Sequence, residues 1–206
     1  MNQSSPFVAV FADESCIGNG REGDNPGGAG ALIELRQRGG EIVRRDLWIS
    51  EPSTTNNRMA LRSVIEAMDA LGAKGARCRV TFTTDSRYIV DGMTQWVHGW
   101  ARNGWKRKGG AIENLELWFD AIRAAEVHEV SWKWVRGHNG HAQNEYANFL
   151  ATRAAAQQNH SSGLQASEFD AWHTAARAKG AKHADPSAFP DESGFRASSA
   201  LPSTDS

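Results

Sequence analysis

"ALIELRQRGGEIVRRDLWISEPSTTNNRMALRSVIEAM", residues 31–68, changes its period partway along, and that change decides the fold. ALIEL (31–35) and EIVRRDLWI (41–49) are strand-like runs. They flank Arg38-Gly39-Gly40, a turn composition, and so read as a hairpin. From Asn57 the apolar residues fall at helical spacing instead: Leu61, Val64, Ile65, Met68 and Leu71. Thr54, Thr55 and Asn56 stand just before them as N-cap candidates.

Outward from this stretch the pattern continues. FVAVFA (7–12) reads as a buried strand, which makes three sequential strands at the start. The glycine-rich run 17–30 reads as a turn or long loop. CRVTF (78–82) and VSWKWV (130–135) alternate like strands. Leu115, Trp118, Phe119 and Ile122 mark one amphipathic helix. The Ala-rich stretch 142–156 marks another, with Tyr146, Phe149 and Leu150 on its packed face. Three strands followed by helix–strand–helix–strand–helix predict an α/β fold: a mixed five-stranded sheet with helices packed on it. Residues 1–156 form this domain. Residues 157–206, rich in Ser, Ala, His, Pro and Gly, read as a low-complexity, largely disordered extension, with a short helix at 167–182.

Composition narrows the class. The 206 residues carry a net charge of −1, so any basic site comes from local clustering. Two cysteines, Cys16 and Cys78, cannot make a disulfide scaffold and suit a reducing cytoplasm. The N-terminal MNQSSP has neither the basic nor the apolar region of a secretory signal. No apolar run reaches membrane-spanning length. A cytoplasmic monomer is expected.

Three stretches carry chemistry. Arg102, Lys106, Arg107 and Lys108 are interleaved with Trp100 and Trp105, the pattern of a nucleic-acid grip, with cations on phosphates and rings against sugars or bases. A solvated loop beside core tryptophans is the plainer reading. Asp13 and Asp85 each follow a strand, where open α/β sheets place their sites, and paired carboxylates suit a hard divalent ion. Each could equally be a turn or cap aspartate. His138, flanked by Gly137 and Gly140 in WVRGHNGHAQNE (134–145), suits a proton shuttle near neutral pH. The spacing to His141 is also that of a zinc pair, but no further ligand pair stands nearby.

Taken together, FADESCIGN (11–19), TTNNRM (54–59), TTDSRY (83–88), TQWVHGWARNGWK (94–106) and WVRGHNGH…NE (134–145) resemble bacterial ribonuclease H type 1 in order and spacing, from about residue 7 to residue 156. The resemblance implies a ribonuclease H-like fold and endonucleolytic cleavage of the RNA strand of an RNA–DNA hybrid. Mg²⁺, or Mn²⁺, would be bound by four carboxylates. It makes Asp13 and Asp85 catalytic metal ligands, and His138 the residue assisting proton transfer. The segment containing Trp96, Trp100, Arg102, Trp105, Lys106, Arg107 and Lys108 becomes the basic protrusion on the DNA strand. Asn19, Thr55, Asn56 and Asn57 become nucleic-acid contacts.

Two family acids are replaced. Ala60 stands where the family has Glu after TTNNRM, and Asn148 stands where it has Asp in the last helix. Ala60 offers no ligand atom, and the Asn148 carbonyl is a weaker donor to a hard ion. Two residues could compensate. Glu14 stands where the family commonly has Gly, although strand alternation would aim it away from the ions unless a bulge or the strand end turned it inward. Glu145 shares a helical face with Asn148. Glu22 and Asp24, in a longer loop after Asn19, stand near the rim. The alternative function is a weakened or inactive module that binds hybrids or duplexes without cutting.

Overall fold

The computed structural model describes residues 5–18, 25–37, 39–181 and 185–204. A mixed sheet of six strands runs through it, in the order β5-β4-β1-β2-β3-β6. The strands are β1 (Phe7–Cys16), β2 (Gly27–Arg36), β3 (Ile42–Glu51), β4 (Arg79–Thr84), β5 (Glu129–Trp134) and β6 (Gln165–Ala166). β1, β2 and β3 form the antiparallel meander expected from the hairpin, while β4 and β5 run parallel to β1. The sixth strand comes from the C-terminal extension and pairs with Arg45 and Asp46 of β3.

Alternation along β1 divides the core. Val8, Val10 and Ala12 face one side of the sheet and pack with α1 (Asn56–Gly72) and α4 (Leu115–Glu126), around Leu61, Val64, Met68, Trp118 and Ile122. Ala9 and Phe11 face the other side, with Leu32 of β2 and with Tyr146 and Leu150 of α5 (Ala142–Gln157). The helical spacing read for α1 is the face that is buried, and Thr55 caps the helix by accepting from the Arg58 N–H at 3.3 Å.

The glycine-rich run is only partly a loop. Gly27, Gly28 and Gly30 are strand residues of β2. A Cβ on Gly28 would sit 2.2 Å from the Ala151 carbonyl oxygen, and one on Gly30 2.5 Å from that of Ala147. Glycine here lets the α5 backbone lie against the sheet, and alanines on α5 complete the close approach. This contact fixes where the N-terminus of α5 falls, over the C-terminal half of β1.

Residues 87–102 fold as one nearly continuous helical stretch: α2 (Arg87–Asp91), a widened π-type turn at Gly92–Trp96, and α3 (Val97–Arg102). Gly92 sits under Trp118, where a Cβ would be 2.1 Å from the ring. Thr94 Oγ1 donates to the Val90 carbonyl at 2.6 Å.

The expected disorder after residue 157 is not what the described residues show. α6 (Phe169–Ala178) forms inside the 167–182 window and buries Phe169 completely. Trp172 lies 5.1 Å from Tyr146, ring to ring. Farther on, Phe189 and Phe195 each meet Phe7 edge-on, at 5.6 and 5.4 Å. The composition reading averages over Ser, Ala and Pro. The structure depends instead on a few widely spaced aromatic anchors, each burying a large apolar area.

Candidate active site

The site lies where β1 runs past its neighbour. β1 pairs with β4 only as far as Ala12–Thr84, while its pairing with β2 continues through Cys16. Beyond Ala12, one flank of β1 therefore opens onto the space past the end of β4, where Asp85 begins the turn into α2.

Asp13, Glu14 and Asp85 converge there. One carboxylate oxygen from each lies within 4.8 Å of the others. Asp13 is 6% exposed. Its Oδ1 accepts from the Glu14 N–H at 2.7 Å, and its Oδ2 from the Asn144 side-chain amide at 3.1 Å. Glu14 Oε2 is buried with no hydrogen-bond partner. A buried carboxylate oxygen left without a partner is costly unless a cation completes it.

Burial pushes the Asp13 carboxyl up to about 8, and the Asp85 charge pushes the same way. The hydrogen bonds from Glu14 and Asn144 offset this only in part. Glu14 is raised well above the usual carboxylate range, first by burial, then by Asp13 and Asp85, against a hydrogen bond from the Ser86 side chain. Asp85 is raised by burial as well. Glu145 adds to the rise and His138 opposes it. Three repelling acids made only of oxygen donors fit a hard divalent ion, which would restore their ionised forms.

The strand-alternation argument against Glu14 needs correction. Glu14 does lie on the face of β1 opposite Asp13, the face shared by Val8, Val10 and Ala12, and β1–β2 pairing shows no bulge there. Because β1 has outrun β4, side chains from both of its faces border the same open space. That face is also the α1 face. Ala60 of α1, fully buried, packs in the same cluster as Ala12. Glu14 thus brings a carboxylate to Asp13 and Asp85 from the face of the sheet that also carries Ala60.

Glu145 takes another part. It is not in the three-carboxylate cluster; its Oε1 accepts from the Gly140 N–H at 3.4 Å and its Oε2 lies 3.9 Å from His138 Nδ1. His138 is 78% exposed, at a positive φ of 51°, on the open side of the site. Asn148 is half-buried one turn beyond Asn144, on the same face of α5. Thr55 and Asn57 are exposed and Asn56 is half-buried. Asn19, with Glu22 and Asp24, lies outside the described residues.

The tryptophans form a ladder from core to surface. Trp118 contacts Trp100 at 5.6 Å, Trp100 contacts Trp96 at 6.0 Å, and Trp96 is 36% exposed. Trp105 stands edge-on to Phe119 at 4.6 Å. The basic residues are all exposed, Arg102 at the end of α3 and Lys106, Arg107 and Lys108 on the loop that follows, where a bridge joins Arg107 to Gly110. Aromatic packing thus holds a cationic tip against the domain.

Several site residues escape a sequence reading. Asn144 orients Asp13. Trp134 Nε1 donates to the Asp85 carbonyl at 3.0 Å, and the Arg87 guanidinium stacks 4.0 Å from the Trp134 ring centre. Gly137 lies so close to Asp85 that a Cβ would be 2.0 Å from Oδ2. Trp134, Gly137 and Asn144 stand inside the WVRGHNGH…NE motif and Arg87 inside TTDSRY, but the sequence reading gave none of them a role of its own.

Known proteins match this chain in sequence and in fold. The family model for RNase H matches residues 5–156. A ribonuclease H of Erythrobacter litoralis is 45% identical over 149 residues, covering 72% of this chain and 95% of that protein. The solved structure of LC9-RNase H1, described as a type 1 RNase H with the type 2 active-site motif, is 61% identical with a TM-score of 0.91, over 98% of this chain and 96% of that one. LC11-RNase H1 in complex with RNA/DNA hybrid shares the fold at 17% identity, with a TM-score of 0.52 over 73% of this chain and 98% of that one. This chain belongs to the ribonuclease H family.

Proposed function

We propose that this ribonuclease H, a hydrolase of the RNA strand of RNA–DNA hybrids, works with Mg²⁺ or Mn²⁺ held by Asp13, Glu14 and Asp85, with the Asn148 carbonyl as a weaker donor. The observation that carries this reading is the convergence of Glu14 with the two aspartates. It supplies a third carboxylate where Ala60 has removed one. These residues would hold divalent ions, which would supply an activated water and charge stabilisation for the leaving oxygen in phosphodiester hydrolysis. The near neighbour LC9-RNase H1, whose active-site motif is described as type 2 on a type 1 enzyme, supports a redistributed ligand set.

The remaining roles belong to the chain's own groups. Asn144 holds the Asp13 carboxylate in one orientation. Gly137 lets the His138 loop close over Asp85. His138, on the open side and next to Glu145, moves a proton to the leaving oxygen. Trp96, Trp100 and Trp105 set the platform from which Arg102, Lys106, Arg107 and Lys108 grip the phosphates of the DNA strand. Thr55, Asn56 and Asn57 contact the hybrid at the start of α1, where Thr55 also caps the helix. The catalytic unit is residues 1–156, acting as a monomer in the cytoplasm. Among the described residues, no helix is long and apolar enough to cross a membrane. No observation favours a module that binds without cutting.

The test is Glu14→Gln on a labelled RNA–DNA hybrid in Mg²⁺ and in Mn²⁺. Cleavage falls by about 100-fold, the equivalent of ~3 kcal/mol in the barrier, and adding Ala60→Glu recovers part of it. If Glu14→Gln cuts at the parent rate in both metals, the third ligand lies elsewhere.

A further inference from the structure

Besides the aromatic contacts that α6 makes with the middle of α5, the C-terminal extension reaches the first turn of that helix. Gln143, in the first turn of α5, is fully buried. Its side-chain amide pairs with the backbone of Ser187: Gln143 Nε2 donates to the Ser187 carbonyl at 2.8 Å, and the Ser187 N–H donates to Gln143 Oε1 at 3.0 Å. Ser187 Oγ lies 3.2 Å from His141 Nε2. Two residues on, Phe189 is fixed by the Phe7 ring and by the Arg36 guanidinium, 4.7 Å from its ring centre.

His141 is the N-cap of α5, and its Nδ1 accepts from the Asn144 N–H at 3.3 Å. A neutral imidazole whose Nδ1 accepts must carry its proton on Nε2, the nitrogen that faces Ser187 Oγ. Ser187 Oγ is placed to accept that proton, which suits the tautomer that caps the helix. The residue so capped, Asn144, is the one whose side chain holds Asp13. Three contacts from the extension thus converge on the turn that orients the central carboxylate.

We propose that Ser187 is a positioning residue of the active site. Through His141 and Gln143 it sets the first turn of α5, and through Asn144 the orientation of Asp13. The proposal rests on Asp13 being a reacting-centre ligand, as above. Partners one step removed from a metal ligand are commonly worth about 10- to 100-fold in metal affinity or activity. The span shared across the family ends at residue 156, so the extension's side of this contact lies outside the family's shared motifs.

The experiment uses the full chain with Ser187→Ala, which loses the hydroxyl; Gln143→Met, which loses the backbone pair at similar volume; Ser187→Thr, which keeps the hydroxyl; and Asp170→Ala. The last breaks the Arg44–Asp170 ion pair that ties α6 to β3, and so loosens the extension away from the clamp. Hybrid cleavage is measured as kcat and KM. The Asn144 side-chain amide resonances are followed by ¹⁵N NMR in ion-free protein, and Mn²⁺ is titrated by calorimetry. Gln143→Met is expected to lose about 10-fold in kcat with KM unchanged, and Ser187→Ala about 3-fold. Both should shift the Asn144 amide pair, while Ser187→Thr and Asp170→Ala behave as the parent. Unmoved Asn144 resonances in both Gln143→Met and Ser187→Ala overturn the proposal. So does an equal kcat loss in Asp170→Ala, which would mark a general effect of stability. Failure of the ligand reading shows separately, as absent Mn²⁺ binding in the parent chain.

Discussion

At the ends of β1 and β4, three carboxylates are crowded together and withdrawn from water. Along residues 102–108, four basic side chains stand exposed at the end of α3 and on the loop after it, backed by tryptophans. The first region concentrates like charge at the expense of stability, and each of its members depends on the others' positions. The second spreads like charge in solvent, where each contribution is small and nearly independent. The acidic region should therefore respond to single changes sharply and to pH strongly. The basic region should respond gradually, and to salt.

Gly137→Ala tests the first half of this contrast most severely. With a Cβ 2.0 Å from Asp85 Oδ2, either the loop or the carboxylate must move. Cleavage is expected to drop by about 1,000-fold, ~4 kcal/mol in the barrier, with hybrid binding retained in a filter or fluorescence assay. A loss below tenfold would mean the centre tolerates displacement, and the contrast would weaken.

A second test uses pH. The folded Asp13 carboxyl keeps its proton to about pH 8, whereas the unfolded one releases it near 4. Ionisation therefore favours the unfolded chain, and the ion-free fold loses stability as pH rises from about 4 to about 8. Asp13→Asn removes that loss. In ion-free buffer at pH 8 the variant should be more stable than the parent by roughly 2–4 kcal/mol, and at pH 4 the two should melt alike. Divalent ion should raise the parent's Tm more at pH 8 than at pH 6. A parent that outlasts the variant at pH 8 without ion would reverse the assigned sign.

The smallest effects belong to the basic loop. Replacing Arg102, Lys106, Arg107 and Lys108 one at a time with Gln should raise KM about two- to threefold each and leave kcat within about twofold. Each lost phosphate contact makes the slope of log K against log salt shallower by about 0.9. A change in kcat larger than that in KM would place the loop in the chemistry rather than in the grip.

How much of this could be read from the chain follows the same division. The period change at residues 50–57 gave the meander and α1, and the ordered motifs gave Asp13, Asp85 and His138. Those signals are local. Glu14 was legible as a candidate, but its direction was not. Alternation says which face a side chain leaves from, yet whether that face matters depends on how far the neighbouring strand extends. The lengths of β1 and β4 differ by a few residues, a tertiary fact with no local trace. Asn144 and Ser187 were hidden for a related reason, since each acts on a residue distant in sequence. The helix at 167–182 was legible, but the packing of the rest of the extension was not, because Phe169, Trp172, Phe189 and Phe195 are too sparse to show any period.

That extension also bears on the two borders of the sheet. On β3, the Ser161 N–H donates to the Trp48 carbonyl at 2.8 Å, and the Trp48 N–H donates to Ser161 Oγ at 3.2 Å. On β5, the Ser198 N–H donates to the Val130 carbonyl at 2.8 Å, and the Trp132 N–H donates to Ser198 Oγ at 3.4 Å. In each case one serine imitates a partner strand, its hydroxyl replacing the missing carbonyl. An open sheet invites edge-to-edge association with other copies. Here a single tail occupies part of both margins, so that part of each edge is already paired from within the chain.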